Sequence, residues 1–146
     1  MGNLSARGFT LIEVLIVLCL LSLEAIGILD LQWRSLRAAR QSSLHSAAMQ
    51  LATDMADGLR AAPAGSDPVA APGFDDWLVG VATTLPAGRA IICHDAAPWD
   101  EAAGVYRWDC GDSTGPLVIK IGWNDSGGAT APASPSLVLT VAPARS

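Results

Sequence analysis

The apolar residues of the chain are concentrated in one N-terminal block. From Phe9 to Leu29 nearly every residue is apolar, yet the block contains the carboxylates Glu13 and Glu24. These 21 residues, at about 1.5 Å per residue, make a helix of about 31 Å, which matches the hydrocarbon thickness of a bilayer. The pattern therefore predicts a membrane-spanning helix with two carboxylates, each of which costs about 2.5–3.5 kcal/mol at the bilayer centre.

After Leu29 the pattern becomes that of an amphipathic helix. Apolar residues recur at spacings of three and four, and the pattern stops at Pro63 and Gly65, which terminate helices. One long helix is therefore predicted over residues 9–62, and its second part, residues 30–62, is expected to pack under a sheet. The apolar positions of that part are Leu44, Ala48, Leu51, Met55 and Leu59.

The remaining residues, 63–146, predict a globular head. A short helix with an acidic first turn is expected over residues 75–85, and turn clusters separate four strands at residues 89–94, 105–110, 117–123 and 137–141. Lys120 alternates with Ile119 and Ile121, as a sheet with one buried face requires, and Trp108 and Trp123 are expected to fill the sheet core. Four strands after a helix predict an α+β fold with an antiparallel sheet packed on the long helix.

Residues 7–13 read Arg-Gly-Phe-Thr-Leu-Ile-Glu at the head of the apolar block. This motif resembles the processing site of type IV prepilins and type II secretion pseudopilins. The resemblance implies the pilin fold, a leader at residues 1–8 that a prepilin peptidase cleaves between Gly8 and Phe9, methylation of the new Phe9 amine, and a periplasmic head. A secretory signal is disfavoured, because the apolar stretch is long and has no Ala-x-Ala cleavage context.

The prepilin resemblance implies an expected function for Glu13. Cleavage creates an amine at Phe9, so in a filament Glu13 of one subunit is expected to pair with that amine of its neighbour and fix the register. The alternative is that Glu13 lies near the cytoplasmic interface and reaches water.

Glu24 lies eleven residues after Glu13. At about 100° per residue the two carboxylates fall within about 20° on one helix face, about 16 Å apart. Two hypotheses stay open: Glu24 meets a basic or polar group on a specific neighbouring subunit, or it faces the far interface and is hydrated.

A stripe of arginines follows the predicted span at a spacing of three: Arg34, Arg37 and Arg40. It is a candidate for binding lipid headgroups, DNA or an acidic neighbour, although a solvated face is the favoured interpretation. Because these arginines follow the span and Arg7 precedes it, the positive-inside rule alone favours the opposite orientation. The leader of the prepilin motif accounts for the orientation instead.

Short segments along the whole chain carry a second, narrower resemblance: residues 13–17, 26–28, 31–32, 36–38, 54–57, 85–88 and 119–123. Together they resemble the family of type IV pilus modification proteins, PilV. This resemblance implies a minor pilin that joins other minor pilins and the major pilin in a tip complex that primes pilus assembly. It also implies contacts with the prepilin peptidase, the inner-membrane assembly platform and, before assembly, membrane lipid. The alternatives are a type II secretion pseudopilin and a DNA- or ligand-binding pilin.

The cysteines fit an oxidising compartment. Cys93 and Cys110 lie on consecutive predicted strands, close enough in a hairpin to form a disulfide in the periplasm, worth about 3 kcal/mol for a loop of this length. Together with His94 they raise the alternative of a metal site, but the spacing matches no zinc pattern. Cys19, in the apolar block, is interpreted as a small hydrophobe.

Charge and motifs limit the remaining function classes. The formal net charge is −5, and after Ala61 there are nine acidic residues against four basic ones, so nucleic acid is not expected as a partner. The sequence contains no Ser-His-Asp arrangement and no glycine-rich phosphate loop, so no enzyme, cofactor or metal site is expected. The turn residues Asp109, Asp112, Asn124 and Asp125 form a weak candidate calcium set, which turn chemistry explains without a cation.

Overall fold

The structure, a computed structural model, describes residues 10–63, 66–111, 114–126 and 128–142, with only the backbone of Ala25 described. Its contacts divide the chain into two compact units, with the boundary between Arg40 and Gln41. One helix, α1 (Leu11–Ala61), contributes residues to both units. The predicted long helix is thus confirmed from Leu11 onward, whereas Phe9 lies outside the described residues.

In the first unit the described side chains of α1 are exposed. Leucine, isoleucine and valine side chains from Leu11 to Leu36 are between 47% and 84% exposed. The most apolar 18-residue window of α1 has a mean hydropathy of 2.5 and none of it is buried. By length and composition this helix is able to cross a membrane.

The second unit confirms the predicted α+β fold, in which a long helix packs against an antiparallel sheet. A three-stranded sheet has the order β1-β4-β5, and the short strands β2 and β3 form a separate antiparallel pair. The elements after α1 are a 3-10 turn (Pro68–Ala70), α2 (Phe74–Thr84), β1 (Arg89–His94), β2 (Trp99–Asp100), β3 (Val105–Tyr106), β4 (Leu117–Gly122) and β5 (Leu137–Thr140).

The predicted strand at residues 105–110 does not join the main sheet. Only Val105–Tyr106 is extended, and it pairs with Trp99–Asp100 across a tight turn in which Asp100 accepts the N–H groups of Ala102 and Ala103. The other three predicted strands match β1, β4 and β5 to within one residue.

The core lies between the inner face of the sheet and the helices. Ala48, Ala52 and Ala56 are fully buried on α1, and such small side chains let a helix approach a sheet closely. Ile119 and Ile121 are also fully buried, and each such side chain contributes about 1.5–3 kcal/mol relative to exposure. Further members of this core are Met55, Trp77, Val81, Leu85, Ile92, Trp123, Leu137 and Val141.

The outer face of β4 is buried as well, so the prediction of a single buried face is wrong. Lys120 is 0% exposed and Val118 1% exposed, because residues 95–110 cross over this face of the central strand. A Cβ atom placed on Gly122 would lie 2.8 Å from the ring of Trp108 and 2.9 Å from the carbonyl oxygen of Ser134. The covering segment therefore rests directly on a glycine in the sheet.

Candidate functional site

The predicted assembly residues lie at the start of α1. Glu13 stands in its first turn, where its backbone N–H donates to the carbonyl oxygen of Thr10 at 3.0 Å. The side chains of Glu13 and Glu24 are both exposed, and eleven residues of continuous helix place them on one face. Gly8 and Phe9, the predicted cleavage and methylation residues, lie outside the described residues.

The predicted arginine stripe forms an exposed surface on the same helix. Arg34, Arg37 and Arg40 all have exposed side chains. Arg34 forms an ion pair with Asp30, with its Nη2 2.8 Å from Oδ2. Trp33, which the sequence did not single out, is 69% exposed beside this stripe. The surface thus combines an aromatic ring with positive charge at the end of the apolar block.

The predicted disulfide between Cys93 and Cys110 is present, with a Cα–Cα distance of 6.0 Å. It joins β1 to the end of the segment that covers the outer face, although Cys110 itself is not on a strand. We call residues 95–110 the outer strap, because both ends of this segment are tied to the sheet. Cys19, the third cysteine, is free and exposed on α1.

A buried ion pair under the outer strap is the main feature that sequence reasoning missed. Lys120 Nζ lies 2.5 Å from Oδ2 of Asp95, 2.9 Å from the carbonyl oxygen of Arg107 and 2.6 Å from that of Asp109. The ammonium group therefore has three acceptors for its three hydrogens. The second carboxylate oxygen of Asp95 accepts the backbone N–H of Ala97 at 2.9 Å.

The pKa of Asp95 is lower than that of an ordinary aspartate. Burial by itself raises this pKa, but it is outweighed by the hydrogen bond from Lys120, the N–H of Ala97 and the positive charges of Lys120 and Arg107. The carboxylate is therefore ionised at neutral pH, and a buried charged pair links the strap to the centre of the sheet.

Trp108 is a residue of the outer strap and also packs against the outer face of the sheet. Its indole N–H donates to the carbonyl oxygen of Pro132 at 3.1 Å, and the Arg89 guanidinium lies 4.4 Å from its ring centroid. Trp108 therefore packs on the outer face, not in the core where it was expected, whereas Trp123 is buried in the core and its ring lies 6.0 Å from that of His45.

Two of the four candidate calcium residues use their side chains in turn contacts. Asn124 accepts the backbone N–H of Ser126 at 3.0 Å, and Asp125 accepts the indole N–H of Trp123 at 2.5 Å. The backbone carbonyl oxygen of Asp109 accepts a hydrogen bond from Lys120. Asp112 lies outside the described residues. In the described part of the chain, no three His, Cys, Asp or Glu side chains are grouped to hold a metal ion.

The fold and these sites define a class of protein with a long N-terminal helix, whose first part is apolar and exposed, and a disulfide-bonded α+β head. A family model described as the prokaryotic N-terminal methylation motif matches residues 3–28. This match includes Gly8, Phe9, Glu13 and Glu24, and it supports a type IV pilin-like protein or pseudopilin that is anchored in a membrane before assembly. No curated protein and no solved structure matches the chain.

Proposed function

We propose that this protein is a minor pilin of the type IV pilus, similar to the type IV pilus modification protein PilV. In this function it is a non-enzymatic subunit that joins other minor pilins and the major pilin in a tip complex that primes assembly. The observation that carries the proposal is the methylation motif at the head of a helix whose apolar side chains are exposed along its first 26 residues, Leu11 to Leu36. In this function lipid covers the apolar surface before assembly, and other subunits cover it in the filament.

Processing prepares the helix for this exchange. In the proposed pathway the prepilin peptidase at the inner membrane removes residues 1–8, and the amine of Phe9 is methylated. The head then lies in the periplasm, and the assembly platform draws the helix out of the bilayer. Extraction is favoured because the Glu13 carboxylate is costly in lipid and finds a counter-charge only in the filament.

Register in the filament comes from the Glu13 carboxylate. It pairs with the Phe9 amine of a neighbouring subunit in a low-dielectric environment, where a mismatch leaves a charge buried without a partner. Glu24 lies on the same face, about 16 Å further along the helix, and we assign it to a basic or polar group on one specific neighbour. Its exposed position supports this assignment.

Two measurements test the proposal. Mass spectrometry of the membrane fraction should find a chain that begins at methylated Phe9, and an intact leader would refute the processing step. Deletion of the gene should reduce the number of surface pili, with full recovery when the gene is restored. An unchanged pilus number would refute the priming function.

A type II secretion pseudopilin is the second candidate, because the same N-terminal motif heads both kinds of protein and the match ends at residue 28. The deletion strain distinguishes the two. Loss of secreted enzymes with normal piliation would assign the protein to secretion, whereas loss of pili with normal secretion would assign it to the pilus.

A further inference from the structure

Trp33 and the arginine stripe follow the predicted span directly. Residues 9–29 rise about 30 Å as a helix, which equals the hydrocarbon thickness. Trp33 then lies about 6 Å beyond Leu29, within the headgroup layer, which is about 5–8 Å thick on each side. Arg37 and Arg40 lie about 12 Å and 16 Å beyond Leu29, so they are within about one Debye length of the outer edge of that layer.

The same residues share one side of the helix. At about 100° per residue, Trp33, Arg34, Arg37 and Arg40 occupy an arc of about 120°. The Cα–Cβ bonds of a helix tilt toward its N-terminus, so arginines that follow the span lean back toward the bilayer. Long side chains of this kind place the guanidinium at the interface while their methylenes cover apolar surface.

The charge on this surface is positive after internal pairing. Asp30 lies close to the hydrocarbon boundary and is neutralised by Arg34 at 2.8 Å. Arg37 and Arg40 have exposed side chains, and the sequence from Leu31 to Thr53 contains no acidic residue. Two positive charges therefore remain beside an exposed tryptophan, which is the residue type enriched at membrane interfaces.

From this geometry we infer that Trp33, Arg37 and Arg40 form a binding surface for anionic phospholipid headgroups, with Asp30–Arg34 as the neutral pair at the hydrocarbon edge. The inference rests on the proposed function, since it requires that the apolar block span a membrane. Anionic phospholipid thereby holds the unassembled subunit at a fixed depth in the membrane. Trp33 sets the depth, and the two arginines select phosphatidylglycerol over a zwitterionic lipid.

Fluorescence quenching by brominated lipids tests the inference with the full chain reconstituted in phosphatidylcholine vesicles. Trp33 is the only tryptophan before Trp77, so the difference between wild type and Trp33→Phe isolates its signal. Each arginine near an anionic surface favours binding by about fivefold. We therefore expect brominated phosphatidylglycerol to quench Trp33 at least about threefold more than brominated phosphatidylcholine at equal mole fraction and low salt. Both leaflets have the same composition, so the orientation of the chain does not affect the result.

Two controls connect the preference to the arginines. The double variant Arg37→Gln/Arg40→Gln removes both charges and should bring the ratio of phosphatidylglycerol quenching to phosphatidylcholine quenching close to one. Salt of about 0.5 M should have the same effect, because it screens surface charge. Arg60→Gln, which removes an arginine of the same helix that is paired with Asp57, should leave the ratio unchanged. A preference that survives Arg37→Gln/Arg40→Gln would overturn the inference.

The outcomes also separate this inference from the proposed function. If neither brominated lipid quenches Trp33, the membrane span itself is wrong and both proposals fail. If both lipids quench it equally at low salt, the span stands and the headgroup selection is refuted. Retention of duplex DNA by the wild-type chain in phosphatidylcholine vesicles, lost in Arg37→Gln/Arg40→Gln and without a phosphatidylglycerol preference, would identify nucleic acid as the ligand instead.

Discussion

Lys120, the only lysine in the chain, places its ammonium nitrogen 2.5 Å from the carboxylate of Asp95, and the two side chains are 0% and 2% exposed. One partner lies on the central strand and the other follows β1, at the start of the outer strap. The pair therefore fixes where the strap sits on the sheet. A buried pair of this kind adds little stability compared with an apolar pair, but loss of one partner is costly.

Replacement of Lys120 by methionine should lower the free energy of unfolding by about 3–5 kcal/mol, because it leaves the Asp95 carboxylate buried without a counter-charge. Urea unfolding of the full chain in mild detergent, followed by tryptophan fluorescence, measures the loss. The double variant Lys120→Met/Asp95→Leu should recover part of it, since no charge then remains buried. Arg60→Gln is the matched control: its ion pair with Asp57 is partly exposed and is worth less than about 1 kcal/mol. A Lys120→Met protein as stable as Arg60→Gln would contradict the assigned role of the pair.

The disulfide should protect the lysine as well as stabilise the head. Substitution of both Cys93 and Cys110 by serine should cost about 3 kcal/mol of stability in the loop-entropy model, and it frees the end of the strap whose carbonyl groups cover Lys120. We therefore expect faster modification of the Lys120 amine by an amine-reactive reagent, measured by peptide mass spectrometry. The free Cys19 gives the control, since Cys19→Ser should change neither quantity. Equal labelling rates in both variants would show that the strap stays closed without the disulfide.

The lowered pKa of Asp95 predicts acid sensitivity with a definite sign. A group whose pKa is lower in the folded state stabilises the fold above its ordinary pKa of 3.8, and this contribution is lost as the pH falls through the folded-state value. The free energy of unfolding should thus fall below about pH 4 more steeply in wild type than in Asp95→Asn. Asp57→Asn, which alters an exposed carboxylate, should keep the wild-type slope. Parallel curves for wild type and Asp95→Asn would exclude Asp95 as a source of the acid dependence.

Local periodicity was enough to predict the helices and three of the strands. The helix from Leu11 to Ala61 follows from an apolar block and an apolar face at spacings of three and four. The disulfide was predictable because Cys93 and Cys110 come from segments adjacent in sequence. These features depend on neighbours within about twenty residues.

The buried ion pair depends on a longer-range arrangement that periodicity does not show. A lysine at alternate positions of a strand is typical of a solvated face, and nothing in the pattern around Lys120 indicates an acid 25 residues earlier. The available signal was the apolar run on both sides of Lys120, which is typical of a central strand covered on both faces. The short pair of β2 and β3 was missed for a similar reason, because strands of two residues are too short to show alternation.

Assembly provides the last prediction, and it compares the two glutamates of the apolar block. Removal of one partner from a buried ion pair costs about 3–5 kcal/mol, so Glu13→Gln should lower the fraction of subunits found in sheared pili by at least about tenfold. Glu24→Gln should also lower it if Glu24 meets a charged group on one neighbour. Immunoblots of the sheared-pilus and membrane fractions measure both effects in the strain that carries the variant as its only copy.

Ser22 provides the matched control for Glu24, because its exposed hydroxyl already donates to the carbonyl oxygen of Cys19 at 2.8 Å. Ser22→Ala should therefore leave incorporation unchanged. If Glu24→Gln behaves like Ser22→Ala while Glu13→Gln fails to assemble, Glu24 meets no basic group on a neighbour and Glu13 is the only one of the two carboxylates that sets the register. If Glu13→Gln assembles normally, the pairing of this carboxylate with the neighbour's Phe9 amine is refuted. Packing of the leucine, isoleucine and valine side chains would then set the register between neighbouring helices in the filament.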